Sequence, residues 1–283
     1  MKQLNILIIL LLSFNVSLAD SIPVEDVDDL NVVYKSILSE NPANASTLII
    51  FDIDDTLLEA KNFVGSGKWY NWQRGREVFD ADGKLVGIED KNKFMCMFGT
   101  LGTLFELGTT KLTQADAAEI VNKLKIYDLM ILTARTYGFR SATERELLNN
   151  GIDVTDKHLM MPETGLEFAI DKNKPTAKIT YKNGIVMSSG QNKGHVLKAI
   201  LERVNKVYQH IYFIDDSQKN IDNMVQEWKE SKSKVSIFHY TKIDQSISQK
   251  EVEQSIAAKQ IFDKFLNLTY PDRYQSFLQG QCN

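Results

Sequence analysis

The sequence predicts an α/β fold, a parallel sheet flanked by helices, on two observations. Three short apolar runs, at residues 48–51, 127–132 and 211–214, lack the polar alternation of a strand with one wet face. Such runs read as strands buried on both sides, as in a sheet sandwiched between helices. Segments with a helical pattern at 141–148, 195–207 and 217–228 are interleaved with them. Strand-helix alternation is how parallel neighbours are connected, so the two observations together describe a Rossmann-like sheet.

Length and composition set the bounds. The chain has 283 residues, enough for one large domain or for a core domain with an insertion. Its 43% hydrophobic and 25% charged residues exclude a disordered polymer. A net charge of -4 gives no electrostatic reason to expect nucleic acid as a partner. Met1-Lys2, the apolar run 6–12 and Ser17-Leu18-Ala19 read as a secretory signal peptide, residues 1–19, cut after Ala19. That run is shorter than the roughly 20 residues a spanning helix needs, and no later stretch qualifies. The expected product is one domain over 20–283, exported to a periplasm or the extracellular space, with no stable membrane span. Cys96 and Cys282 would either pair in that oxidising compartment or remain one partly buried thiol and one in a loose tail.

In chain order, residues 22–38 carry Val27, Leu30, Val33, Tyr34 and Leu38 near a helical stripe and predict an N-terminal helix. Asn41-Pro42-Ala43-Asn44 breaks it. The sequons at Asn44 and Asn267 are too short a pattern to imply glycosylation. From residue 59 to about 124 the alternation lapses. Gly65-Ser66-Gly67 forms a hinge-like stretch before Lys68-Trp69-Tyr70-Asn71-Trp72. Trp72 reads as core, whereas Trp69 or Tyr70 would line a substrate entrance. The glycine spacing of a P-loop is missing there. Thr113 and Asp116 predict a helix start, with Thr113 as N-cap. Asn149-Asn150-Gly151 stops the 141–148 helix. Asn183-Gly184 between the β-prone runs 179–181 and 185–187 predicts a hairpin near the rim of the site. Residues 235–240 predict an edge strand, 249–266 a closing helix and 270–283 an irregular tail. His195 reads as a surface or cap residue, and His158, His210 and His239 show no zinc-ligand spacing.

The chemistry concentrates where the runs end. Asp52, Asp54, Asp55 and Thr56 follow the first run directly. In extended chain, residues two apart point the same way, so Asp52 and Asp54 can aim at one spot beyond the strand's C-terminal end, where open α/β sheets bind ligands. Crowded carboxylates repel and resist desolvation, so they imply a positive partner; a hard divalent cation suits oxygen ligands. Thr133 ends the second run, Asp215-Asp216 the third, and Lys193 stands at a helix start between them.

The ordered set Asp52-x-Asp54-x-Thr56, strand-Thr133, Lys193 and strand-Asp215-Asp216 resembles the four motifs of the haloacid dehalogenase-like (HAD) hydrolases, over residues 47 to about 217. The resemblance implies a HAD-like core with a small, mostly helical cap inserted at about 59–124, its helices within 93–107 and 113–124. It also implies Asp52 as nucleophile and Asp54 as general acid and base. Thr133 and Lys193 would bind the phosphoryl group. Mg2+ would be held by Asp52, the backbone carbonyl of Asp54 and Asp215, with Asp216 behind Asp215. An acid at position 54 marks, in that superfamily, phosphatases and phosphotransferases. The expected activity is Mg2+-dependent hydrolysis of a phosphomonoester, on a phosphorylated small molecule or phosphoprotein, outside the cytoplasm. A phosphotransferase and a non-catalytic phosphate-binding protein are the alternatives.

Overall fold

The structure is a computed structural model that describes residues 22–157, 159, 165–170 and 177–282. The signal-peptide reading and His158 lie outside the described residues. The chain runs through β1 (Val24–Val27), α1 (Leu30–Glu40), β2 (Thr47–Phe51), β3 (Leu58–Ala60), α2 (Gly67–Gln73), α3 (Met97–Leu107), β4 (Thr110–Leu112), α4 (Ala117–Leu124) and β5 (Asp128–Thr133). It continues through α5 (Arg140–Asn149), β6 (Leu166–Phe168), β7 (Ile179–Lys182), β8 (Ile185–Met187), α6 (Lys193–Arg203), β9 (His210–Asp215), α7 (Gln218–Trp228), β10 (Lys234–Tyr240), α8 (Gln249–Thr269) and α9 (Pro271–Leu278).

Eight of the strands form one sheet in the order β1-β10-β9-β2-β5-β8-β7-β6. The first six in that order are parallel, and the hairpin strand β7 and then β6 are added antiparallel. This is a mostly parallel α/β sheet with helices on both faces, as the apolar runs predict. β2 shows why they do: Ile49 and Phe51 join one core, with α1, α4 and Leu147 of α5. Leu48 and Ile50 join the other, with α6 and α7. A strand buried on both faces carries apolar side chains through its middle and leaves polar ones to its ends, as Thr47 does at the start of β2.

The predicted hairpin forms at Asn183 and Gly184, with φ of 53° and 74°. Two successive positive φ values give the twist that matches paired strands, and Asn-Gly is the pair that adopts them readily. At Gly184 a Cβ would also lie 2.4 Å from the Val154 carbonyl oxygen, so only glycine fits.

Four local expectations are corrected. Residues 22–38 are not one helix: β1 precedes α1, whose N-cap Asp29 accepts a hydrogen bond from Asn31 N. Val27 falls in the helical stripe by coincidence, being the buried last residue of the strand. Because β1 takes the sheet edge, β10 is interior rather than an edge strand. Thr113 is no N-cap, since its hydroxyl donates to the Thr56 carbonyl at 2.6 Å and the helix starts at Ala117. The tail is not irregular: Pro271 opens α9, its fixed φ suiting the first helical position.

Between β2 and β5 the chain leaves the sheet. α4 returns to it, burying Ala117, Ile120, Val121 and Leu124 in the sheet's own core. The earlier part, with α2, α3 and the short antiparallel pair β3-β4, builds a separate cluster from Phe63, Trp69, Trp72, Val78, Phe94 and Leu101. Ile247 completes it, with Val252, Ala258 and Phe262 of α8 packed alongside. Cys96 and Cys282 are joined in a disulfide with Cα atoms 5.1 Å apart, which ties the start of α3 to the chain after α9. Among the described residues no helix is long and apolar enough to cross a membrane.

Candidate active site

The site lies at the C-terminal ends of the central strands. Asp52 follows β2, and its N–H donates to the Ile214 carbonyl at 2.9 Å, extending the ladder to β9. Asp215 ends β9, Thr133 ends β5, and Lys193 opens α6, where the Asn192 side chain accepts from His195 N at 3.1 Å. Parallel strands side by side bring these four remote segments to one rim.

Lys193 is fully buried, its Nζ 2.7 Å from Asp52 Oδ1 and 2.7 Å from Asp215 Oδ2. Burial alone would lower an ammonium's pKa, but the charges of Asp215 and Asp52 outweigh it and hold the lysine protonated. Apart from this ion pair, Asp52 Oδ1 is a buried oxygen that accepts no hydrogen bond among the described residues. Asp215 is different. Its Oδ1 accepts from Ser217 N and Asn220 Nδ2, each at 2.9 Å, and its Oδ2 from Lys193 and, at 3.2 Å, Asn220. Asp216 beside it has a single side-chain contact, 3.4 Å from Thr56 Oγ1.

One carboxylate oxygen from each of Asp52, Asp215 and Asp216 lies within 4.8 Å of the others. Burial, followed by Lys193 in the opposite sense and by the charges of Asp215 and Asp54, lifts Asp52 to about 7. Burial and the charges of Asp215, Asp52 and Asp55 push Asp216 well above the ordinary carboxylate range. An all-oxygen donor set with an orphaned buried oxygen fits a hard divalent cation. Asp215, expected from the sequence to meet the metal with Asp216 behind it, is the more heavily hydrogen-bonded of the two.

Asp54 points elsewhere, into a bidentate pair with Arg135, with Nε at 3.0 Å and Nη2 at 2.7 Å. Its side chain is 41% exposed, so protons can reach it. Arg135 is buried, donates to Thr143 Oγ1 at 3.0 Å and stacks 4.2 Å over the Phe105 ring of α3. The insertion thus touches the core beside Asp54. Thr133 is buried, and its Oγ1 accepts from Arg135 N at 3.1 Å. No acceptor among the described residues takes the Thr133 hydroxyl hydrogen, leaving it free to donate. A cavity of about 470 Å³, lined in part by Asp55, Lys61, Lys68, Lys111 and Lys242, opens next to this region, and Asp52 is not in its wall.

A family model described as "Protein of unknown function (DUF2608)" matches residues 26–270. The chain belongs to the DUF2608 family. No curated protein matches it. The DUF2608 match begins within β1 and takes in the rest of the sheet and all four segments of the site.

Of the residues singled out from the sequence of this DUF2608 chain, Asp52, Lys193, Asp215 and Asp216 meet, and Asp54 and Thr133 share Arg135 as a partner. Trp69 does not. It is fully buried, its Nε1 donating to Ser255 Oγ at 2.8 Å and its ring edge-on to Phe94. Its expected place at a substrate entrance is corrected to the core joining the insertion to α8. Arg135, Asn220 and Thr143 were missed. Arg135 had a readable signal, since it stands two residues after Thr133 and so points to the same side in extended chain. Asn220 sits three residues into the turn after Ser217, a spacing that returns a side chain to the strand end.

Proposed function

We propose that this protein is a Mg2+-dependent phosphomonoester hydrolase of the HAD type, acting through an aspartyl-phosphate. The observation that carries the reading is the buried Lys193 between Asp52 and Asp215, with Asp216 at hand and its lone pairs free. A cation held by Asp52 and Asp216 would offset charge on the nucleophile and the phosphoryl group. Asp52 attacks phosphorus, forming a P–O bond to its carboxylate as the bond to the leaving oxygen breaks. Asp54 gives that oxygen a proton, then takes one from the water that splits the acyl phosphate and releases inorganic phosphate. Lys193 and the Thr133 hydroxyl supply fixed positive charge and a donor to the phosphoryl oxygens. Arg135 holds Asp54 at the exposed mouth, where leaving group and water meet it.

The family resemblance in motif order and the sheet's Rossmann-like layout support the same reading. The Cys96–Cys282 bond supports export to an oxidising compartment, where such bonds persist. Phosphate release from p-nitrophenyl phosphate, measured with Mg2+ and with EDTA, tests the proposal. Wild type should turn over only with the metal, and Asp52→Asn should lose activity to background while keeping its circular dichroism spectrum and melting temperature. Turnover by Asp52→Asn at more than a trace, or none by wild type with any divalent metal, would sink it.

A further inference from the structure

The edge strand hidden in the sequence lies in register with the site. β1 pairs with β10 so that Asp26 is opposite His239, and β10 pairs with β9 so that His239 is opposite Asp215. The His239 ring bridges outward and inward at once. Its Nδ1 lies 2.8 Å from Asp26 Oδ1, and its Nε2 lies 3.0 Å from the backbone oxygen of Asp216. Both partners are oxygen atoms, one on each side of the ring, so the ring spans from the edge strand to the Asp216 peptide.

The bond to the Asp216 carbonyl falls where the site is least braced. Asp215 is fixed by Lys193, Ser217 and Asn220, whereas among the described residues the Asp216 carboxylate has only the 3.4 Å contact to Thr56. Its peptide is the handle by which that side chain can be aimed. The Asp26 carboxylate is 76% exposed, and a pair so open to water adds little to stability. A purely structural role therefore leaves the arrangement without an effect, while an orienting role does not.

We propose that His239, held by Asp26, is a positioning residue. It fixes the Asp216 peptide so that the Asp216 carboxylate stays turned toward Asp52 for a divalent cation. The inference rests on the metal-dependent reading above. It extends the site from its four sequence segments to two more, β10 with His239 and the N-terminal edge strand β1 with Asp26.

The test is direct titration of the metal-free protein with Mn2+, read by electron paramagnetic resonance, with thermal melts in EDTA alongside. His239→Leu should bind Mn2+ about 10- to 100-fold more weakly than wild type, the usual effect of losing a group that orients a metal ligand. Its melting temperature in EDTA should stay close to wild type, and its KM for p-nitrophenyl phosphate at saturating metal should be unchanged. His239→Gln, whose amide can still donate to the carbonyl, should recover part of the affinity, and Asp26→Asn should weaken it by a smaller factor. Wild-type affinity in His239→Leu overturns the inference and leaves the metal-dependent reading standing. Wild type that binds no divalent cation overturns both. Should His239→Leu fail to fold, Asp26→Asn and His239→Gln decide, and unchanged affinity in the two overturns the inference.

Discussion

Asp55 is the one residue of the Asp52–Thr56 turn in the left-handed region, with φ of 59°, and it is buried with a single side-chain donor, Gln245 Nε2 at 3.1 Å. Burial lifts its carboxyl from the ordinary 3.8 to about 6. Between those values the folded chain keeps a proton that the unfolded chain has lost, so stability falls as pH rises through the window. Asp55→Asn has no such titration. In EDTA it should gain on wild type by on the order of 2–3 kcal/mol between pH 4 and pH 7, read by urea unfolding. A difference that does not change with pH would show that Asp55 is ionised at no cost. At this scale the sequence exposed the acids, because Asp-x-Asp spacing and strand ends are local features. It hid His239, whose partners are chosen by folding, while Arg135 and Asn220 were readable only from their spacing to Thr133 and Ser217. It did not show how unequally Asp215 and Asp216 are hydrogen-bonded, since that depends on a lysine 22 residues away.

The helices α6 and α7 carry Lys193 and Asn220, and they meet most closely at Gly194. A Cβ there would lie 2.8 Å from two side-chain carbons of Glu227 and 2.9 Å from the Asn223 carbonyl, a backbone atom that cannot step aside. Gly194→Ala should cost about 1–3 kcal/mol by overpacking, seen as a lower melting temperature. It should also slow turnover, because the displaced turn is the one that holds Lys193. An unchanged melting temperature would mean that the two helices separate freely. Elements with a strong apolar period, such as β2, β5, β9, α7 and the Asn183-Gly184 hairpin, were legible. β1 was not, because three of its four side chains are exposed and its existence depends on β10, more than 200 residues on. α9 was missed for a related reason: none of its residues is buried, so no apolar stripe marks it.

Three hydrophobic clusters divide the molecule, two on the faces of the sheet and a third in which the insertion packs on α8. The sequence left the two cysteines open between pairing and separation, and only tertiary structure decides it, since 186 residues separate them. The bond restrains the third cluster, which has no sheet beneath it. Replacing both cysteines by serine should lower stability by about 2–4 kcal/mol, and dithiothreitol should lower the melting temperature of wild type but not of the variant. Equal response to reductant in both would remove the bond from that role. The same bond spans β5, the hairpin, α6 and β9, and leaves the Asp52 strand outside its loop. A protease nick anywhere inside the loop would therefore yield two fragments that still travel as one band on a gel until reductant is added. A nick just before Cys96 would set the Asp52 segment free of any covalent tether.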